Sequence, residues 1–115
     1  MLGGYRSKHA TLHLAAAVID PGAEMAPESM ADGSFATWTV QITGLTTGTV
    51  TWQGTQDGST WLGFLMAPTT TETKALTATA NGIYRGDVRG FKKVRANLTA
   101  LSGGTPTIRG TLTVI

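Results

Sequence analysis

Cysteine is absent from this chain of 115 residues, which excludes disulfide bridges and thiolate chemistry and leaves the redox compartment unreadable. Charged side chains are scarce, at 14%. No apolar run approaches the roughly 20 residues that cross a bilayer as a helix, so no membrane span is expected. The opening "MLGGYRSKHATLHLAAAVID" places charge ahead of a short apolar stretch, as a secretory signal would. His13 interrupts that stretch, however, and "AAAVID" is a poor small-residue cleavage site, so it reads as part of the mature chain. Helix formers are few outside "HLAAAV".

Threonine and glycine are abundant, at 21 and 15 residues. Branched Thr suits a pleated surface and Gly suits tight turns, so the chain reads as all-β. A single domain of this length buries roughly two thirds of its unfolded surface and can fold unaided. The net charge of +2 conceals a division. Residues 9–81 carry six carboxylates against Lys74, whereas residues 82–115 carry six cations against Asp87. Such a division suits self-association or docking onto a partner at least as well as nucleic acid.

Short alternating segments follow one another from residue 35. In "FATWTVQITG", Trp38, Val40 and Ile42 share one face, and in "GTVTWQGT" Val50 and Trp52 do. The Asp-Gly pair in "QDGS" is a hairpin signal leading into "TWLGFLM", whose apolar residues fall on both faces and point to double cover or an interface. "TETKALTATA" is a weaker strand, and "NG" turns the chain into "IYRGDV". "FKKVRANLTAL" places Val94, Ala96 and Leu98 on one side, and "PTIRGTLTVI" places Ile108, Leu112 and Val114 there. Seven short strands, or eight with "TLHLAAAVI", describe an antiparallel β-sandwich or jelly roll over residues 35–115. Residues 1–34 form an N-terminal segment. Its stretch 19–34, with two prolines and four carboxylates but no alternation, reads as an extended arm or loop able to reach a neighbour.

Catalytic chemistry finds little support. His9 and His13 lack both the glutamate of a zinc-protease helix and any third metal ligand, so they read as ordinary polar residues. There is no nucleophile elbow, no carboxylate pair stands out, and no cofactor motif is present; the expectation is a protein that is not an enzyme and holds neither cofactor nor metal. Glycan binding is the more serious alternative, because small β-sandwiches display exposed aromatics to sugars. By parity Trp38 and Trp52 belong to the core, which leaves Trp61 as the candidate exposed aromatic.

Five of the nine cations lie in "GIYRGDVRGFKKVRANLTAL". With Tyr84 and Val88 inward, Arg85, Asp87 and Arg89 point outward. With Val94, Ala96 and Leu98 inward, so do Lys93 and Arg95. Adjacent strands would then show a basic face with Asp87 available to Lys93 or Arg95; strands in different sheets would not. The tripeptide Arg85-Gly86-Asp87 lies within a strand-like run, not at a loop tip where adhesion would need it. Nucleic acid is disfavoured, since only Tyr84 and Phe91 accompany the charges and there is no recognition helix. The acidic arm residues Asp20, Glu24, Glu28 and Asp32 and the basic strands are therefore candidate interface, facing partners or each other.

The runs "GTVTWQGTQDGSTWLGF", "NGIYRGDVRGFKKVRANLTAL" and "GGTPTIRGTLTVI", spanning residues 48–115, resemble a pattern of turns and strand faces in small β-sandwich structural proteins of tailed bacteriophages. The pattern also occurs in carbohydrate-binding modules, the alternative already raised. What the resemblance implies is a virion component assembled in the host cytoplasm. The favoured form is a capsid decoration (cement) protein on the capsid surface; a neck, tail or head-fibre part is the other. It further implies contact with the major capsid protein or other virion proteins, a homo-oligomer with a trimer favoured, and an arm formed by residues 1–34. It brings no catalytic residues.

Overall fold

The computed structural model describes residues 7–27 and 36–113. The expected contributions of Glu28, Asp32 and Val114 lie outside them. Within the described residues the protein is all-β, with seven antiparallel strands: β1 (Ser7–His13), β2 (Thr37–Thr55), β3 (Leu62–Gly63), β4 (Ala67–Pro68), β5 (Thr77–Ala78), β6 (Gly82–Asp87) and β7 (Lys93–Thr113).

Period-2 alternation decides which side chains enter the core. Trp38, Val40, Ile42, Val50, Trp52, Val94, Ala96, Leu98, Ile108 and Leu112 are all buried, as their spacing predicts, while the intervening threonines reach solvent. Burying an indole contributes up to about 5 kcal/mol at the usual 25 cal/mol per Å2, so Trp38 and Trp52 are the largest single contributions.

The strands themselves differ from the expected short series. β2 and β7 run for 19 and 21 residues and pair along almost their whole length, from Thr37↔Thr113 to Thr55↔Lys93. The alternating runs at 37–44 and 48–55 are thus two halves of one strand, and so are those at 93–101 and 106–113. Trp38 and Trp52, 14 residues apart, would be separated by about 46 Å in a straight strand. Their rings instead meet edge to face, with centroids 6.1 Å apart. The ladder therefore folds over on itself, and its two halves become the two layers of a sandwich.

Glycine makes the fold-over possible. Register breaks at Thr43/Leu45, Leu45/Thr47 and Thr47/Gly48, and Gly44 and Gly104 adopt φ of 76° and 90° there. A Cβ on Gly44 would lie 2.9 Å from the Thr105 carbonyl oxygen, and one on Gly104 would lie 2.6 Å from the Thr46 nitrogen. Asn81 completes the bend: its Oδ1 accepts from the Leu45 N–H and its Nδ2 donates to the Leu45 carbonyl, both at 2.9 Å. The "NG" pair expected to make only a turn thus also supplies the hydrogen bonds that the broken ladder lacks.

The first layer runs β1, the end of β7, the start of β2, β6 and β4. The second contains the start of β7 and the end of β2, with β3 and β5 on the far side of β2. On the other side of β7, the segment after β1 bridges it at Asp20↔Leu98 and Met25↔Val94. The part of the expected arm that is described, residues 7–27, therefore lies against the sandwich as strand and edge. Met25 reaches the core, where its Sδ accepts from Trp38 Nε1 at 3.4 Å.

Candidate functional site

The basic residues do not share one face. β6 pairs with residues 37–42 of β2, and the start of β7 pairs with residues 50–55, beyond the bend. Tyr84 and Val94 both point into the core, so Arg85 and Asp87 lie on the outside of the first layer while Lys93 and Arg95 lie on the outside of the second. The adjacent-strand basic face therefore does not form: of the two arrangements the sequence allowed, the bend gives the one in which the strands lie in different layers.

Two of the candidate cations, Arg89 and Lys93, are paired with carboxylates of the same chain. Asp87 is gripped by Arg89, whose Nη2 stands 2.8 Å from Oδ2, and its Oδ1 also accepts from the Arg89 backbone N–H at 3.0 Å. Those bonds pull the Asp87 carboxyl down to about 2. It pairs with neither Lys93 nor Arg95. Lys93 takes Glu24 at 3.1 Å, joining the acidic segment to β7 within one chain. Asp20 Oδ1 accepts from the Gly22 N–H at 2.7 Å. Arg85-Gly86-Asp87 forms the C-terminal end of β6, with Gly86 opposite Trp38.

Trp61 is half-buried, and the Arg95 guanidinium lies 4.0 Å from its ring centroid. Arg95 Nε is tied to Gln53 Oε1 at 2.9 Å, and the same oxygen accepts from Asn97 at 3.1 Å. The indole face that a sugar would stack on therefore carries a tethered cation. His13 is buried and donates from Nε2 to the Ala96 carbonyl at 2.8 Å. Among the described residues no three His, Asp or Glu side chains are placed to hold a metal ion, and no helix is long and apolar enough to cross a membrane.

The most unusual surface was only half legible in the sequence. Leu14, Val18 and Ile19 are between 58% and 73% exposed, and Leu62, Leu65 and Leu76 between 50% and 68%. Strand order places Ile19 at the β7 edge of the second layer and Leu62 and Leu76 at the opposite, β2 edge. The two-sided apolar pattern of "TWLGFLM" pointed to Leu62 and Leu65, but nothing in "TETKALTATA" pointed to Leu76. The first was hidden in "HLAAAVI", which reads equally well as an inward strand. The two opposite edges of the second layer thus both expose large aliphatic side chains.

The family model for XepA matches residues 7–112. The chain belongs to the XepA family. Among solved structures it is similar to the PBSX exported protein XepA, with a TM-score of 0.88 and 19% identity over 98% of this chain and 39% of that one. It is also similar to the SPBc2 prophage-derived protein YomS, with a TM-score of 0.84 and 19% identity over 98% of this chain and 97% of that one. The chain thus spans about two fifths of the XepA chain and nearly all of YomS. At such identity the likeness is one of fold. No curated protein sequence matches the chain.

Proposed function

We propose that this XepA-family chain is a phage-associated structural protein that works as one subunit of an assembly, joined to further copies of itself edge to edge. The observation that carries the reading is the pair of apolar edges on opposite sides of one layer. They differ in sequence and strand context, so a contact between them is heterologous: one edge of each copy meets the other edge of the next. Repeated around an axis, such contacts close into a ring whose copy number the contact angle sets. The fold shared with the SPBc2 prophage-derived protein YomS supports the phage association.

The specific form is a capsid decoration protein, held on the virion surface through the major capsid protein and present as trimers. A tail or neck position uses the same edge contacts at another copy number. Light scattering of the purified chain over a dilution series tests the reading. A discrete multimer that persists on dilution is the expected result, with threefold mass marking the decoration form. A monomer at every concentration would contradict self-assembly.

A further inference from the structure

The outer face of the first layer, remote from both apolar edges of the second, carries a groove of about 500 Å3. Small-molecule sites fall in the range of roughly 300–1,000 Å3. Cross-strand register sets its chemistry. Thr11, Arg109, Gln41 and Ile83 stand abreast on β1, β7, β2 and β6, because Thr11 and Gln41 both pair with Arg109 and Gln41 pairs with Ile83. His9, Thr111 and Thr39 form the next row, about 7 Å along the strands.

The groove is cationic and offers free hydrogen-bonding groups. Arg109 donates from Nη1 to Thr11 Oγ1 at 3.4 Å and has no carboxylate in ion-pair range among the described residues. No Asp or Glu lines the groove. Asp87, a further row along β6, is held by Arg89. The His9 ring is oriented by Thr111 Oγ1 at 2.9 Å and by Ser7 Oγ at 3.3 Å. The side chains of Thr39 and Gln41 have no protein partner among the described residues. Ile83, 46% exposed, adds an aliphatic wall to an otherwise polar face.

From this geometry we infer that the groove binds a sugar unit bearing a carboxylate or a phosphate. Arg109 takes the anionic group in its planar fork, Gln41 and the threonines take ring hydroxyls, and Ile83 meets the C–H face of the ring. A bare anion would use Arg109 and leave the amide, hydroxyls and aliphatic wall idle. Nucleobases would require a broad aromatic platform, and no Phe, Tyr or Trp lines the groove; its one imidazole, His9, is tied to Thr111 and Ser7.

Amide NMR titration of the intact chain tests this, with glucuronate, glucose 6-phosphate, glucose and inorganic phosphate as probes. One or both anionic sugars are expected to shift the Thr39, Gln41 and Thr111 amides, and the tighter of the two identifies the anion. Glucose and inorganic phosphate should bind roughly tenfold or more weakly, the loss of one charge-assisted contact set. Arg109→Gln, a change at an exposed position, should weaken the anionic sugars by a similar factor, while Arg95→Gln on the opposite layer should leave them unchanged. Absence of shifts with both anionic sugars would overturn the inference. So would equal binding of glucose or phosphate, or unchanged binding in Arg109→Gln.

Discussion

Two tryptophans at the centre of the core differ in one hydrogen bond. Trp38 Nε1 reaches Met25 Sδ, whereas the buried Nε1 of Trp52 has no protein partner. A buried donor left unmet costs about 1–3 kcal/mol, which replacement by phenylalanine relieves. Trp52→Phe should therefore destabilise by about 1–2 kcal/mol less than Trp38→Phe in denaturant unfolding; equal losses would show that Trp52 is satisfied in solution. Two exposed carboxylates among the described residues couple folding to acid. Asp57 is held far below the usual carboxylate range, chiefly by the Thr60 and Ser59 backbone N–H groups, and Asp87 is held at about 2 by Arg89. Both are lowered in the folded state, so their stabilisation is complete above about pH 4, the unfolded value, and fades as pH falls through the folded values. The melting temperature should drop between about pH 4 and 2. Asp57→Asn should flatten that drop even in high salt, because its bonds are short-range and to backbone, whereas the Asp87 share should shrink with salt. A drop of the same size in Asp57→Asn would remove Asp57 from the cause. Inward parity was legible for these core residues because it depends only on alternation. The partner of each charge was not, because pairing depends on which layer a strand joins.

At the scale of elements, the fold turns on one bend that the sequence disguised. A glycine between alternating runs reads the same whether the chain reverses into a new strand or kinks within one, so Gly44, Gly48, Gly103 and Gly104 mark breaks in the alternation without distinguishing the two. Only the pairing of β2 with β7 across the whole bend distinguishes the two. The Asp-Gly turn, by contrast, was legible: it joins β2 to β3, which returns antiparallel at Gly54↔Leu62. Asn81 tests the bend directly. Its amide meets both the N–H and the carbonyl of Leu45, so Asn81→Ala leaves two part-buried backbone groups without that partner and should cost about 1–2 kcal/mol. Asn81→Asp retains the acceptor alone and should fall between that variant and the parent. A neutral Asn81→Ala would mean that water replaces the amide and the bend stands without it.

For the whole molecule, the all-β sandwich followed from composition and alternation, and the phage-protein resemblance carried by residues 48–115 agrees with membership of the XepA family. The exposed apolar edges were less legible. Charge drew the eye to Arg85, Lys93 and Arg95, yet Lys93 and Arg95 are occupied within the chain, while the exposed aliphatics at Ile19 and Leu62 emerge only when strand order places them on opposite edges. Heterologous association makes a prediction that no two-fold contact shares. Ile19→Asp spoils one edge and Leu62→Asp the other, so each variant alone has no complementary pair and should run as a monomer. Mixed in equal amounts, each variant's intact edge meets the other's, and light scattering should read a dimer that grows no further. Monomers in the mixture, or multimers that persist in both single variants, would contradict edge-to-edge assembly.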